Sequence, residues 1–131
     1  MKVTKTTFLA QIVLLAVLLI GCASSQYRMG WIEVRDENSI RCSYSRFDGK
    51  EKVGIKAEEG QEFRLSTDVE VSEGVLTIQL FDPDDSLVWE ERSAEDNAKV
   101  ENLVLKTSGQ YKLIITGDDT SGSFDISWEE K

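Results

Sequence analysis

Histidine is absent from all 131 residues. That removes Ser-His-Asp and Cys-His nucleophilic sites, histidine-built zinc sites and the usual general base near neutral pH. Only two cysteines occur, Cys22 and Cys42, so one chain has too few thiolates for a structural zinc cluster. Pro83 is the lone proline, which leaves turn formation to glycine and aspartate. No glycine-rich phosphate loop or dinucleotide fingerprint is present, and no Ser-x-x-Lys motif stands out. Basic residues are outnumbered 15 to 24 by acids, giving a net charge of −9. A chain this acidic lacks the footprint that nucleic acid or anionic lipid requires. Carboxylate pairs of the glycosidase kind need two acids about 5–10 Å apart in a cleft, and 24 acids supply such pairs by chance. The expectation is a protein that is not an enzyme.

What is present begins with a leader. Lys2 and Lys5 precede an apolar run from Phe8 to Ile20 that only Gln11 interrupts. A membrane-spanning helix needs about 20 apolar residues, whereas a signal h-region has about 7–15. The run ends in Leu19-Ile20-Gly21-Cys22, followed by the polar Ala23-Ser24-Ser25-Gln26. This resembles the bacterial lipobox. The resemblance implies a signal peptide over 1–21, cleavage before Cys22, and a diacylglyceryl group, commonly with palmitate, on the Cys22 thiol. One acyl chain binds membranes only marginally, but two or three hold permanently. The protein is therefore expected to be lipid-anchored on the exported face of a bacterial cell envelope. Loss of the leader removes two lysines and no acid, so the net charge becomes −11. Lipidation of Cys22 leaves Cys42 with no disulfide partner. Its alternation with Ile40 and Tyr44 puts it on an apolar face, where cysteine behaves as an inert hydrophobe.

Residues 22–38 show no clear period and read as a lipidated N-terminus and tether, whose Tyr27 and Trp31 either pack on the domain edge or, for Trp31, begin an extra strand. From Ser39 to the end at 131, short period-two segments alternate with turn residues. Eight strands are expected: about 39–47, 50–58, 61–71, 75–81, a short one around Leu87 and Trp89, 100–105, 110–117 and 123–128. Asp48-Gly49 reads as a two-residue hairpin loop. Ser72-Glu73-Gly74 reads as a turn, Arg92 to Asn97 as a polar loop, and Gly117 to Gly122 as another loop. Val100, Leu103 and Leu105 change parity, which suggests a bulge. No segment after the leader has a helical period. The fold class is therefore all-β, a single antiparallel β-sandwich of jelly-roll type.

The runs Leu76 to Pro83, Ser108 to Gly117 and Gly122 to Trp128, with Trp89 between them, resemble the bacterial pre-peptidase C-terminal type of jelly-roll domain. They also resemble small lipoproteins of Gram-positive bacteria. The likeness covers about Lys50 to Glu129. It implies a surface location and brings no catalytic residue with it.

Three ligand readings stand. Calcium takes 6–8 oxygen ligands from carboxylates and loop carbonyls. If the eight segments alternate in direction, the loops after strands one, three, five and seven share one end. Asp48, Glu73, Glu95, Asp96, Asp118 and Asp119 would then form an acidic rim there, opposite Asp82, Asp84 and Asp85. No EF-hand spacing occurs, and acids also favour solvated turns. Trp31, Tyr27 or Trp89 would serve as a sugar platform, although Trp89 and Trp128 fall at inward positions. Finally, the domain would act as an interaction module for an envelope protein or polysaccharide, inhibition of an envelope hydrolase being one form of that role.

Overall fold

The computed structural model describes residues 26–130. The leader, the lipobox and Cys22 lie outside the described residues. Seven strands make one antiparallel sheet: β1 (Tyr27–Met29), β2 (Ile32–Asp36), β3 (Ser39–Ala57), β4 (Glu62–Phe81), β5 (Leu87–Ser93), β6 (Asn97–Val104) and β7 (Gly109–Glu130). The path runs β1-β3-β7-β4-β5, with β2 also on β3 and β6 also on β4.

Strands of 19, 20 and 22 residues are far longer than usual. Each one bends in the middle. Register shifts fall at Tyr44–Gly49 in β3 and Val71–Val75 in β4, opposite Gly117–Gly122 of β7. Inward residues are Ile40, Cys42 and Tyr44 before the shift in β3, then Val53, Ile55 and Ala57 after it. β4 changes in the same way from Leu65, Val69 and Val71 to Leu76, Ile78 and Leu80. β7 changes from Tyr111, Leu113 and Ile115 to Phe124, Ile126 and Trp128. An inserted residue restores the same sheet face to the inside while the strand turns. Three aligned shifts thus crease the sheet across its width.

Two contacts show that the halves fold face to face. Glu91 pairs with Ile78 on β4, eleven residues beyond Thr67. A straight strand would hold Thr67 and Ile78 roughly 36 Å apart. Thr67 Oγ1 nevertheless donates to Glu91 Oε2 at 2.6 Å. At the other edge Arg35, which pairs with Ile40, reaches Glu51, eleven residues farther along β3, at 2.8 Å. One layer comprises β2, the first half of β3, the second half of β7, the first half of β4, and β6. The facing layer comprises β1, the remaining halves of β3, β7 and β4, and β5. This is a jelly roll.

The eight expected segments are found, but three pairs of them are continuous strands. Asp48-Gly49 is not a hairpin loop, because its flanking segments lie in different layers and never pair with each other. Ser72-Glu73-Gly74 and Gly117 to Gly122 are likewise creased strand. Within the described residues, the expected tether supplies β1 and β2. Trp31, between them, packs on Tyr44, Phe47 and Phe124, with ring centroids 5.7, 4.9 and 6.3 Å away. Arg28 lies 4.3 Å over the Trp31 ring and donates to Glu51 and to the Lys50 carbonyl. β5 extends into the expected polar loop, with Glu91 and Ser93 buried. β6 contains no bulge: Val100 pairs with outward Ser66 and simply faces water, while Leu105 is buried just past the strand. Pro83 and its aspartates do form a turn. Asp82 Oδ1 accepts the Asp84 and Ser86 N–H groups, each at 2.9 Å.

Candidate functional site

The crease brings the expected acidic rim to one end of the sandwich. Asp48, Glu73 and Asp119 line a groove of about 510 Å³ with Tyr27, Met29, Ser45, Arg46 and Ser121. Asp48 and Asp118 also line an adjoining groove with Lys50, Thr77 and Arg92. Asp96, in the β5–β6 connection at the same end, accepts the Val71 N–H at 2.9 Å. Glu95 is exposed beside it.

Three of the six rim carboxylates, Asp48, Asp96 and Asp119, have hydrogen-bond partners within the chain. Arg46 donates through Nε and Nη2 to both oxygens of Asp119, at 2.5 and 2.7 Å. That bidentate pairing raises the Arg46 guanidinium above its ordinary pKa. Asp48 Oδ1 accepts the Asp119 N–H at 3.2 Å. At the opposite end Asp85 is held by Lys112 at 2.6 Å. Among the described residues no group of three His, Cys, Asp or Glu side chains is disposed to hold a metal ion. Asp119 is thus engaged by Arg46, and Asp48 and Asp96 by backbone N–H groups.

The expected sugar platform is largely dismantled. Trp89 and Trp128 are core residues and Trp31 is covered by Arg28 and the ring cluster. Tyr27 alone of the three candidates keeps an open ring. Cys42 is buried on the apolar face. Burial foremost, then the charge of Glu33, pushes its thiol up to about 12, against a smaller opposing pull from Arg28.

Two surfaces escaped the sequence reading. Tyr27 and Met29 on β1, and Ile32 and Val34 on β2, are outward apolar side chains, each about half exposed or more (48, 49, 66 and 53%). Their cross-strand partners Asp48, Arg46, Ser43 and Arg41 point outward beside them. Parity reverses at Gly30-Trp31, so in sequence they appear only as two short alternating runs out of phase. At the far end, Leu87, Val88, Leu103 and Val104 with Tyr111 line an opening of about 380 Å³ rimmed by Asp82 and Lys106. Among the described residues no helix is long and apolar enough to cross a membrane.

No protein-family model and no curated protein matches the sequence. Solved structures share its outline at low identity. One described as a CBM4 is 9% identical over 79% of each chain, with a TM-score of 0.46. A Cellvibrio mixtus carbohydrate-binding module in complex with cellotriose is 10% identical over 80% of this chain and 86% of that one, with a TM-score of 0.45. The Aeromonas hydrophila periplasmic inhibitor of g-type lysozyme is 14% identical over 80% and 93%, also with a TM-score of 0.45.

Proposed function

We propose that this chain is a lipid-anchored protein of the bacterial cell envelope whose β-sandwich is a non-catalytic binding module. The observation that carries this reading is the junction between anchor and domain. A lipobox closes the h-region at Cys22, and the first strand of the sandwich begins at Tyr27. The protein acts where it is tethered, on a partner within the envelope. Of the two partner classes, a protein is favoured over a polysaccharide. The tryptophans a sugar platform would use are packed inside, whereas the exposed grooves are edged by aliphatic side chains and isolated charges.

The anchor is tested by Cys22→Ser. That variant should lose incorporation of labelled palmitate and leave the membrane fraction, or retain its leader, with an unchanged melting temperature. A processed Cys22→Ser protein that still fractionates with membranes would refute the anchor. Cross-linking of the native protein in intact envelopes tests the partner class. Capture of polysaccharide alone would reverse the preference for protein.

A further inference from the structure

We infer that β6 is an interface between two copies of this chain, the strand of one pairing antiparallel with the same strand of the other about a twofold axis at Val100. Such pairing requires neither the lipid anchor nor the binding role proposed above.

The edge itself is open. Each layer ends one strand beyond β4, in β6 on one side of the sandwich and β5 on the other, and among the described residues β6 pairs with β4 alone. Its outer row of N–H and C=O groups has no strand against it, which makes it a template for one. Of the edge strands β1, β2, β5 and β6, with three, five, seven and eight residues, β6 is the longest. It also carries no net charge, since Lys99 and Glu101 are its only ionised side chains in a chain of net charge −9.

Charge complementarity selects the occupant. Paired about Val100, the run Asn97-Ala98-Lys99-Val100-Glu101-Asn102-Leu103 is complementary to itself reversed. Lys99 of each copy stands opposite Glu101 of the other, Ala98 opposite Asn102, and Val100 opposite Val100. Lys99 and Glu101 lie across from inward Thr67 and Leu65 on β4, so both occupy the inner face at the open edge. Among the described residues neither has an ion-pair partner. Val100 is half exposed on the outer face and would meet its own copy there. The acids of β4 that border β6, Asp68 and Glu62, lie opposite Ala98 and Val104, a strand back from the seam.

The same two charges fix the register. Moving the axis by one residue sets Lys99 against Lys99 or Glu101 against Glu101, and like charges directly opposite are destabilising. Charge on an edge strand ordinarily bars stray pairing. Here it bars strands that lack the reversed arrangement and admits the one that has it.

The test is cysteine cross-linking of the full chain in the bacterial cells that express it, read on non-reducing gels. Residues directly opposed across antiparallel strands have Cα atoms about 4.5–5.5 Å apart, within disulfide range. Asn102 lies opposite Ala98 in this register, so two copies of Asn102→Cys stand about 13 Å out of step along the strand. Buried Cys42 does not compete, and the chain with its own cysteines alone sets the background. Val100→Cys is expected to form several-fold more linked dimer than Asn102→Cys. Asn102→Cys should link when co-expressed with Ala98→Cys. Lys99→Glu added to Val100→Cys should remove the several-fold excess, and Glu101→Lys in the same chain should restore it. That restoration separates lost pairing from lost folding. Equal linkage at 100 and 102 overturns the interface. So does a failure of Ala98→Cys and Asn102→Cys to link, linkage at 100 that Lys99→Glu leaves intact, or linkage that the double exchange does not restore.

Discussion

Gly122→Ala should unfold the domain well below the temperature at which Gly60→Ala does, although both glycines have positive φ (146° and 82°). Gly60 lies in the β3–β4 turn, and a methyl group there meets nothing within 4 Å. Its substitution costs only the backbone strain of a left-handed residue, about 1–2 kcal/mol. At Gly122 the strain is of similar size, on the order of 1–3 kcal/mol. There the new Cβ would also fall onto the Glu70 carbonyl, with the Glu70 carbon at 2.7 Å and Val71 Cα at 3.3 Å. These are backbone atoms of the adjoining strand and cannot rotate away. Overpacking of that kind adds about 1–3 kcal/mol. The difference between the variants is then about 2 kcal/mol, and about 4–8 °C per kcal/mol applies to a domain of this size, so the melting temperatures should differ by roughly 8–16 °C. Thermal unfolding followed by far-ultraviolet circular dichroism measures it. If Gly122 sat at the tip of an open loop, as its sequence neighbourhood suggests, the two variants would melt together. That result would refute the crease.

Other perturbations report on the edges, the rim and the buried thiol. Glu91→Ala leaves the buried Thr67 hydroxyl and the Asn97 amide without their acceptor, and should cost about 2–3 kcal/mol in urea unfolding. Adding Thr67→Val and replacing Glu91 by leucine instead should recover most of that loss; no recovery would mean the pair is not the bridge between layers. Glu51→Gln removes the partner of both Arg28 and Arg35. Because the arginines are partly exposed, the effect should be about 1 kcal/mol or less and should shrink in high salt. Cys42 titrates at about 12 when folded against an ordinary value of 9.0, so folding holds a proton that the unfolded chain has released between those values. Stability should therefore fall as pH rises from 9 to 12, by about 1.4 kcal/mol per unit from this group, and Cys42→Ala should flatten the first unit. Tyr44, pushed by burial from 10.0 to about 12, adds to the loss only above pH 10. Millimolar calcium should leave the melting temperature unchanged, since Arg46 already occupies both oxygens of Asp119. A clear upward shift would restore the cation reading.

Strand periods were legible because each core face is written as apolar residues two apart, and a period of two needs no knowledge of the neighbours. How the segments join was not. Asp48-Gly49 has hairpin chemistry locally, and only the ladder to β7 on both sides of it keeps β3 continuous. The gathering of Asp48, Glu73 and Asp119 survived that error, because a crease and a turn both carry the chain from one layer to the other at the same end. The engagement of Asp119 by Arg46 was invisible, since the bidentate pair spans 73 residues of sequence. The burial of Glu91 left no mark in the sequence, because charge signals solvent unless a partner is known, and Thr67 is 24 residues away. β1 and β2 were missed for a simpler reason: three and five residues hold too little alternation to stand out.

The place of β7 in the sheet bears on the order in which the fold can form. The strand that comes last in this sheet's chain order lies at the centre, hydrogen-bonded to β3 on one side and to β4 on the other. Until residues 109–130 arrive, β3 and β4 have no common neighbour and the two layers cannot form. The two ladders that join the sheet's halves, β3–β7 and β4–β7, are therefore of high contact order and wait for residues 109–130. The jelly roll can close only once β7 is free to enter between β3 and β4.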